Sequence, residues 1–593
     1  MNLPPPPSTR AIRLAALCFA VAAAFSAGSL LISVAAVDGL NALDLFRTVL
    51  IMLTTAWLAW GATLALAGLW PMSRRSIPVA IEPPATVMLV PICNEDPVAT
   101  FARIAAIDRS LAQSGAHVDI AILSDTRDPA RSAEERAAFA RLRAQITGQG
   151  RLYYRIREDG AGRKAGNVGH FMRNSGRAYE LAVILDADSL MSGEAIRMMI
   201  DRMAADPQLG LLQTLPRLVQ GHSIFARAMQ FSAAFHGLVF TRGLMRMQGH
   251  TGPFWGHNAI VRVAAFAQSC GLPDLPGKAP FGGHILSHDY VEAALLARAG
   301  WKVEVDAAIP GSYEEGPENV LAYAKRDRRW CQGNLQHAKL VGAHGLAGWS
   351  RFVFVQGIMA YVAAPLWGLF LLATLAATLM APLPDYFPEQ YQLFPTFPYD
   401  RTLEITTLIL GTASLLILPK FLIWIEAVAT RRAALFGGAG RSFVSVVTEI
   451  ALTSALAPIM LAFQSRAVFQ VLTGQDGGWP ANARGEGRLS VAEAFRACGW
   501  IVGLGLGSGA AVAWLAPDLI PWLLPIGLPM VLSPWIIAWS SRPLTHALFH
   551  TPEEHTTPPV LQTYREILAS WSPALQTEPL SPDAPDAGAL ARA

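Results

Sequence analysis

Charge is scarce in this 593-residue chain: Asp, Glu, Lys and Arg together make up 15% of it. Average soluble domains carry about 25% charged residues. With 52% hydrophobic residues and a mean hydropathy of +0.33, the composition excludes a purely soluble protein. The formal net charge is only +3, which is too small to indicate a nucleic-acid partner. We therefore expect a lipid bilayer, and no nucleic acid, among the partners of the chain.

Cysteine is also rare. The five cysteines lie far apart, without a Cys-x-x-Cys pair or the His spacing of a zinc site: Cys18, Cys93, Cys270, Cys331 and Cys498. This spacing argues against a disulfide framework and against structural zinc, and it fits a reducing compartment.

Long apolar runs gather at the two ends of the chain and leave a charged middle. Two runs precede the middle and five follow it: 12–37, 46–70, 352–380, 403–427, 444–472, 498–515 and 519–538. The first run is too long for the apolar part of a signal peptide, and a second run follows at once, so we interpret it as a retained span. We predict a disordered N-terminus over 1–11, two transmembrane helices over 12–75 and a soluble domain over 78–345. Transmembrane and interfacial helices follow over 350–541, and then a largely disordered cytoplasmic tail over 542–593.

Basic residues indicate which side of the membrane the connections occupy. One side is marked by Arg10, Arg13, Arg74, Arg75, Arg431, Arg432, Arg441, Arg484, Arg488 and Arg542, and the other by Asp38, Asp44, Asp385, Glu389 and Asp518. This distribution places both termini and the middle domain in the cytoplasm. Seven spans cannot return the chain to that side. The polar-interrupted run 444–472 is therefore predicted to be interfacial, re-entrant or a short hairpin, which leaves six spans, or eight with a hairpin.

Between these spans the apolar pattern changes to short runs rich in β-branched residues. The runs 85–91, 118–123, 152–156 and 181–185 are separated by charged stretches with helical spacing. Such an alternation predicts an α/β domain whose mostly parallel sheet is covered on both faces. Because ligands bind beyond the carboxyl ends of such strands, the residues that follow each run are the candidates for a site.

Acidic residues follow three of these predicted strands. Asp186-Ala187-Asp188 comes directly after the run 181–185, where two hard oxygen ligands can hold Mg²⁺ or Mn²⁺ against a donor diphosphate. Surface turns also contain this pattern, so its place at the end of a buried strand is what favours a metal site. Asp125 ends an earlier strand, where it can contact a nucleobase or ribose, or can equally well cap a helix or form a turn. Asn94 and Glu95 follow the first strand.

Two more residues are candidates for contacts with the reacting groups. Lys164 lies among small residues at a predicted helix start and can meet a phosphate there, although a solvated loop alone explains this segment better. Asp289 precedes a predicted helix and is our candidate for the base that takes the proton of an acceptor hydroxyl. Its alternative role is that of a helix cap, which Ser287 can also supply.

A basic segment with an aromatic residue lies just before the third apolar run. Arg326 and Arg329 can bind a pyrophosphate, and the face of Trp330 can stack on a sugar ring. Basic residues at this place are normally interface anchors, but anchoring does not require the Trp-Cys-Gln-Gly-Asn run that begins at Trp330.

The order of these motifs resembles that of the processive family 2 glycosyltransferases, the synthases of cellulose, hyaluronan and related polymers. Their D, DxD, (T/E)xD and QxxRW motifs are similar to Asp125, Asp186-x-Asp188, Asp289 and Arg326-x-x-Arg329-Trp330. The segments 256–258 (GHN), 286–289 (LSHD) and 326–337 (RDRRWCQGNLQH) narrow the resemblance to the membrane glucosyltransferases that make the backbone of osmoregulated periplasmic glucans. Two positions depart from the general pattern. Arg326 stands in place of Gln, and the triplet before the helix is Ser-His-Asp, so that His288 has no assigned role.

This resemblance implies a GT-A-like domain and a role for each matching residue. It implies nucleotide contacts for Asn94, Glu95 and Asp125, a diphosphate contact for Lys164, metal and diphosphate binding for Asp186 and Asp188, general-base action for Asp289, and a place between diphosphate and acceptor for Arg326, Arg329 and Trp330.

The resemblance also implies the substrates and the location. The donor is expected to be UDP-glucose, the acceptor a growing glucan, and the product a β-linked, β-1,2 backbone that crosses the bacterial inner membrane. A periplasmic glucan-processing protein or an acyl carrier protein is an implied partner. A synthase of another extruded polysaccharide, such as cellulose or hyaluronan, or a dolichyl-type lipid glycosyltransferase, remains an alternative. More distant alternatives are a transporter with a large regulatory domain and a metal-dependent phosphohydrolase.

Overall fold

The computed structural model describes residues 3–36, 39–71, 79–148, 150–381, 391–394, 401–475, 487–544 and 548–572. Two long apolar helices come first, α1 (Pro7–Ala35) and α2 (Ala42–Gly68). The disorder predicted for 1–11 is wrong from Pro7 onward. Proline is well suited to the first turn of a helix, and the Arg13 guanidinium fixes this end of α1 by donating to the Met247 carbonyl oxygen, 2.6 Å away.

The middle of the chain forms a seven-stranded sheet and a three-stranded sheet. The strand order is β3-β2-β1-β4-β8-β6-β9 in the first and β5-β10-β7 in the second. In the larger sheet only β8 runs antiparallel to its neighbours. The strands are β1 (Thr86–Ile92), β2 (Val118–Ser124), β3 (Leu152–Ile156), β4 (Leu181–Ile184), β5 (Leu190–Met191), β6 (Leu209–Thr214), β7 (Arg217–Val219), β8 (Ala259–Arg262), β9 (Lys302–Asp306) and β10 (Ser312–Glu315).

Helices cover both faces of the larger sheet, because its central strands are apolar on both sides. One face packs against α3, α4 and α6, and the other against α5, α9 and α10. The helices of this region are α3 (Pro97–Ser114), α4 (Pro129–Gln145), α5 (Arg163–Asn174), α6 (Gly193–Ala205), α7 (Ile224–Phe235), α8 (Gly237–Gln248), α9 (Val263–Ser269), α10 (His288–Arg298) and α11 (Val320–Gln336). The predicted fold class, a mostly parallel α/β domain between bundles of apolar helices, is confirmed.

The second bundle begins directly after this domain. It contains α12 (Gly348–Met380), α13 (Thr402–Ala429), α14 (Gly438–Leu472), α15 (Val491–Leu515), α16 (Ile520–Val531) and α17 (Ser533–Ser540). In the described part of the chain, six helices are long and apolar enough to cross a membrane: α1, α2, α12, α13, α14 and α15. The run 519–538, predicted as one span, forms a pair of helices bent by 57°. The run contains four prolines, and the bend falls just before Pro534, which cannot donate the backbone hydrogen bond that would continue the first helix.

The run 444–472 is part of one continuous helix, α14, and not of a hairpin. Toward its start Glu449 accepts a hydrogen bond from Ser232 of α7 at 3.2 Å, and near its end Gln464 donates to Asp327 of α11 at 3.0 Å. Because α14 meets segments of the central domain near both ends, its contacts favour the interfacial interpretation over a simple crossing.

The end of the chain corrects the prediction of a largely disordered tail over 542–593. Two helices follow α17, namely α18 (Pro552–His555) and α19 (Pro559–Trp571), and α19 packs on α3 of the central domain. Its buried positions Val560, Tyr564, Ile567 and Trp571 recur at helical spacing and join the core of the sheet. The remaining tail over 573–593 lies outside the described residues, as do Asp38, Arg74, Arg75, Asp385, Glu389 and Arg484 of the topology prediction.

Since α19 is fixed to the domain, the chain must return to the domain's side of the bundle. Helices α12, α13, α14 and α15 have the length and composition of membrane spans, and the bent pair α16–α17 is a broken span or a re-entrant loop.

Candidate active site

The carboxyl ends of β1, β2 and β4 open into a cavity of about 460 Å³. This is the edge of the sheet at which the fold places ligands. Nine of the ten predicted site residues line the cavity: Asn94, Glu95, Asp125, Lys164, Asp186, Asp188, Arg326, Arg329 and Trp330. The tenth, Asp289, lies immediately beside it.

Asp125 is held in place by an arginine that the sequence analysis missed. The buried Arg157 donates to both oxygens of the Asp125 carboxylate, at 2.9 and 2.7 Å. A second branch of the same guanidinium donates to the Ala161 carbonyl oxygen at 2.7 Å, in the loop that leads to α5. Arg157 directly follows β3, so the strand-end rule that selected Asp125 also applies to it. It links Asp125 to the loop that precedes Lys164.

Asp186 and Asp188 follow β4, and the first of them is ion-paired. The Lys164 ammonium, in the first turn of α5, donates to the Asp186 carboxylate and to the Gly256 carbonyl oxygen, which is 2.6 Å away. This contact places the ammonium group of a lysine, which is a common phosphate-binding group, beside the two carboxylates.

The two carboxylates fit an open divalent-cation site. Among the described residues, no group of three or more His, Cys, Asp or Glu side chains is placed to hold a metal ion by itself. Magnesium in particular is commonly bound by one or two carboxylates together with the phosphates of a substrate. Asp186 and Asp188 thus match a cation that arrives with a diphosphate, and the surroundings do not match a closed metal cage.

Asp289 lies in the first turn of α10, next to Gly256. A Cβ atom added at Gly256 would stand 3.6 Å from Asp289 Oδ2. The Asp289 carboxylate is therefore close to Gly256, the residue whose carbonyl oxygen binds Lys164. Burial raises the pKa of Asp289; His288 opposes this shift and Glu292 adds to it. A carboxylate with a raised pKa is a better proton acceptor. Ser287 makes no side-chain cap to α10.

His288, which had no role in the sequence analysis, pairs with a buried glutamate. Its Nδ1 atom lies 3.2 Å from Glu292 Oε2, one helical turn away. Burial lowers the pKa of His288, but the Glu292 carboxylate outweighs that effect and the net shift is upward. His288 and Glu292 thus form a pair on α10 next to Asp289.

Two faces of helix α11 have different surroundings. Positions 326, 329 and 330 share one face because three- and four-residue spacings coincide on a helix. The Arg326 guanidinium lies 4.3 Å from the centre of the Trp330 ring. On another face, Asp327 accepts hydrogen bonds from Tyr361 of α12 and Gln464 of α14, at 3.2 and 3.0 Å. Burial raises the pKa of Asp327. The helix that closes the cavity is thus fixed to the membrane bundle.

Two further cavity residues were missed as site candidates. His257 Nε2 lies 3.4 Å from Glu314 Oε2 on β10. Burial raises the pKa of Glu314, His257 opposes this, and the charge of Asp188 adds to it, so Glu314 is close to the aspartate pair. His257 belongs to the Gly-His-Asn segment already noted. Glu314 carried no sequence signal, because its short strand belongs to the second sheet.

A mostly parallel sheet with clustered carboxylates at its strand ends, flanked by apolar helices, is the arrangement expected of a membrane glycosyltransferase with a GT-A-like domain. Residues 181–420 match the family model "Glycosyl transferase family group 2". The chain is 55% identical to "Glucans biosynthesis glucosyltransferase H" of Cereibacter sphaeroides, over 96% of this chain and 97% of that protein. A protein of the same name from Rhodopseudomonas palustris is 40% identical over 95% and 82%. The chain belongs to the glucans biosynthesis glucosyltransferase H family.

Among solved structures, a mannosyltransferase from Pyrobaculum calidifontis in complex with GDP-mannose and Mn²⁺ is similar at 15% identity and a TM-score of 0.46. That similarity covers 73% of this chain and all of the other.

Proposed function

We propose that this protein is an inverting, processive glucosyltransferase that polymerises a β-linked glucan, with β-1,2 links, from UDP-glucose. The observation that carries the proposal is that Asp186 and Asp188 line one cavity with Arg326 and Trp330, and that Asp289 lies beside this cavity, next to Gly256. Membership of the glucan synthase family supports glucose as the transferred sugar. A bound divalent cation, Mg²⁺ or Mn²⁺, would neutralise charge on the departing nucleoside diphosphate.

In the proposed reaction, Asp186 and Asp188 would hold the cation, and Lys164 and Arg329 would bind the diphosphate of the donor. Asp289 removes the proton of a hydroxyl at the non-reducing end of the acceptor glucan. The new C–O bond forms at the anomeric carbon as its bond to the diphosphate oxygen breaks on the opposite side. The α-linked donor thus gives a β-linked product, UDP leaves with the bonding electron pair, and the proton remains on Asp289. Orientation and charge stabilisation supply most of the rate enhancement in such a site.

We further propose that the nucleotide lies at Asn94, Glu95 and Asp125 and that the acceptor sugar stacks on Trp330. Trp330 is 40% exposed on α11, and α11 packs on α12. The acceptor end of the cavity is therefore adjacent to the membrane bundle. This adjacency supports extrusion of the growing chain across the bacterial inner membrane, with the catalytic domain and both termini on the cytoplasmic side.

The proposal is tested with the purified full-length protein in proteoliposomes supplied with radiolabelled UDP-glucose and Mg²⁺ or Mn²⁺. We expect a labelled β-glucan whose linkage analysis gives β-1,2 links, and loss of the product with EDTA or with Asp188→Asn. Incorporation from another nucleotide sugar only, or product that forms normally with EDTA, would contradict the proposal. Cellulose- or hyaluronan-type linkages would favour the alternative polymer synthases.

Extrusion needs a separate measurement. Glucan that is sealed inside inverted vesicles, and so resists an added glucanase until detergent is present, is the expected result. Glucan that is fully digestible without detergent would contradict extrusion but not the transferase activity.

A further inference from the structure

A buried arginine lies beneath the turn that carries Asp186 and Asp188. Arg103, on α3, has a side chain that is only 4% exposed. Its Nη1 atom donates to the backbone carbonyl oxygen of Ala187, between the two aspartates, at 3.4 Å. The charge of Asp188 is among those that act on this guanidinium. Arg103 therefore contacts the metal-binding turn from behind, where it cannot touch the donor.

The other branch of the guanidinium reaches the second sheet. Arg103 Nη2 donates to Glu315 Oε1 at 2.6 Å, and Glu315 directly follows the cavity residue Glu314 on β10. β10 in turn pairs with β5, the short strand that begins two residues after Asp188. One side chain thus joins both segments that border the aspartate pair on this side.

The C-terminal helix completes this arrangement. The ring of Tyr564 on α19 lies 4.8 Å from the guanidinium carbon of Arg103, on a helix that also contacts α3 and β5. A cation held over an aromatic face and removed from water is stabilised by the electrostatic attraction of the ring. Tyr564 is itself buried in the core that includes Ala187. A segment more than 370 residues from the aspartates therefore braces the arginine beneath them.

We propose that Arg103, braced by Tyr564 of the C-terminal helix, is a positioning residue that sets the Asp186–Asp188 turn for the divalent cation and the donor diphosphate. The inference rests on the proposed function, because it assigns the pair of aspartates to that cation. Groups that orient metal ligands from outside the ligand set typically change metal affinity or activity by about 10- to 100-fold when they are mutated.

The test compares variants of the full-length protein in detergent or nanodiscs. Arg103→Lys keeps the charge but lacks the planar fork that spans Ala187 and Glu315. Tyr564→Leu removes the ring, and Tyr564→Phe restores it. Arg141→Met is the matched control: the Arg141 guanidinium also stacks on α19, 4.9 Å from the Trp571 ring, but it touches no part of the aspartate turn.

Two quantities are measured for each variant, namely the dissociation constant of Mn²⁺ in the presence of UDP, by calorimetry, and the Mn²⁺ concentration that gives half-maximal activity. Arg103→Lys and Tyr564→Leu should raise both by about tenfold or more. Tyr564→Phe and Arg141→Met should stay close to the native protein. Thermal unfolding identifies any variant that fails to fold. If Arg103→Lys fails to fold, the comparison of Tyr564→Leu with Tyr564→Phe still tests the inference.

Unchanged Mn²⁺ affinity in both Arg103→Lys and Tyr564→Leu would overturn the inference. An equal loss in Arg141→Met would also overturn it, because it would show a general loosening of α19. Asp188→Asn separates this failure from failure of the proposed function: if that variant binds Mn²⁺ and UDP as the native protein does, the metal assignment itself is wrong.

Discussion

Replacing Asp289 with asparagine removes one proton acceptor and leaves the size of the side chain nearly unchanged. General-base catalysis typically contributes about 10²- to 10⁴-fold to a rate. At about 1.36 kcal/mol per factor of ten, this corresponds to roughly 3 to 5 kcal/mol of transition-state stabilisation. We expect kcat to fall within that range. KM for UDP-glucose should change little, because Asp289 adjoins Gly256, whereas the nucleotide is proposed at the strand ends of β1 and β2.

The assay is the initial rate of glucose incorporation from UDP-glucose, measured from pH 4.5 to 9 in detergent. Because burial raises the pKa of Asp289, the activity of the native protein should be lost, as the pH falls, at a higher pH than the ordinary value of about 3.9 for aspartate would give. The sign follows from the reaction, since only the ionised carboxylate accepts a proton. This fall in activity at low pH is the acidic limb of the pH–rate profile, and it should be absent in the asparagine variant.

Asp128→Asn is the matched control, since Asp128 caps α4 at an exposed position of the same domain and asparagine also caps helices. Its activity should equal that of the native protein. An Asp289→Asn variant with more than a tenth of the native kcat and an unchanged acidic limb would remove Asp289 from the role of base.

Three further predictions concern stability, measured as the free energy of unfolding or the Tm in detergent. Gly68→Ala should destabilise the protein by about 1–3 kcal/mol or more, because a Cβ there would clash with the Val239 carbonyl oxygen of α8. Gly61→Ala is the control: a Cβ at this position meets no other atom, so the change should be neutral or stabilising by up to about 1 kcal/mol. Glu449→Ala should lower the free energy of unfolding by about 3–5 kcal/mol, because Lys420 loses the carboxylate that lies 2.6 Å from its ammonium. The double variant with methionine at positions 420 and 449 should be nearly as stable as the native protein. Trp571→Ala should cost about 3–5 kcal/mol, although the tail was predicted to be disordered, and no loss of stability would contradict the packing of α19.

The sequence predicts those parts of the fold whose pattern is local. The run 181–185 is apolar on both faces because it lies in the middle of a covered sheet, and its position also predicts where Asp186 and Asp188 lie. The first apolar runs correspond to α1 and α2 for the same reason, since a span of the bilayer requires a long apolar stretch whatever surrounds it.

Features that depend on distant contacts were not predictable in this way. The segment that forms α19 is short and flanked by prolines, and only its docking on α3 makes it a stable helix. The roles of Arg103 and Glu314 likewise depend on partners from other elements, so no spacing in the sequence marks them. Arg157 is different, because it follows β3 directly and the strand-end rule could have selected it.

The central claim is that the acidic residues at the strand ends bind one cation-bound diphosphate. It is tested most directly by an electron cryomicroscopy structure of the full-length protein with UDP and Mn²⁺. We expect density for the diphosphate in the cavity, with the cation between it and Asp186 and Asp188, and with Asp289 facing the open acceptor side. Nucleotide bound elsewhere, or bound in this cavity with the cation away from both aspartates, would contradict the account.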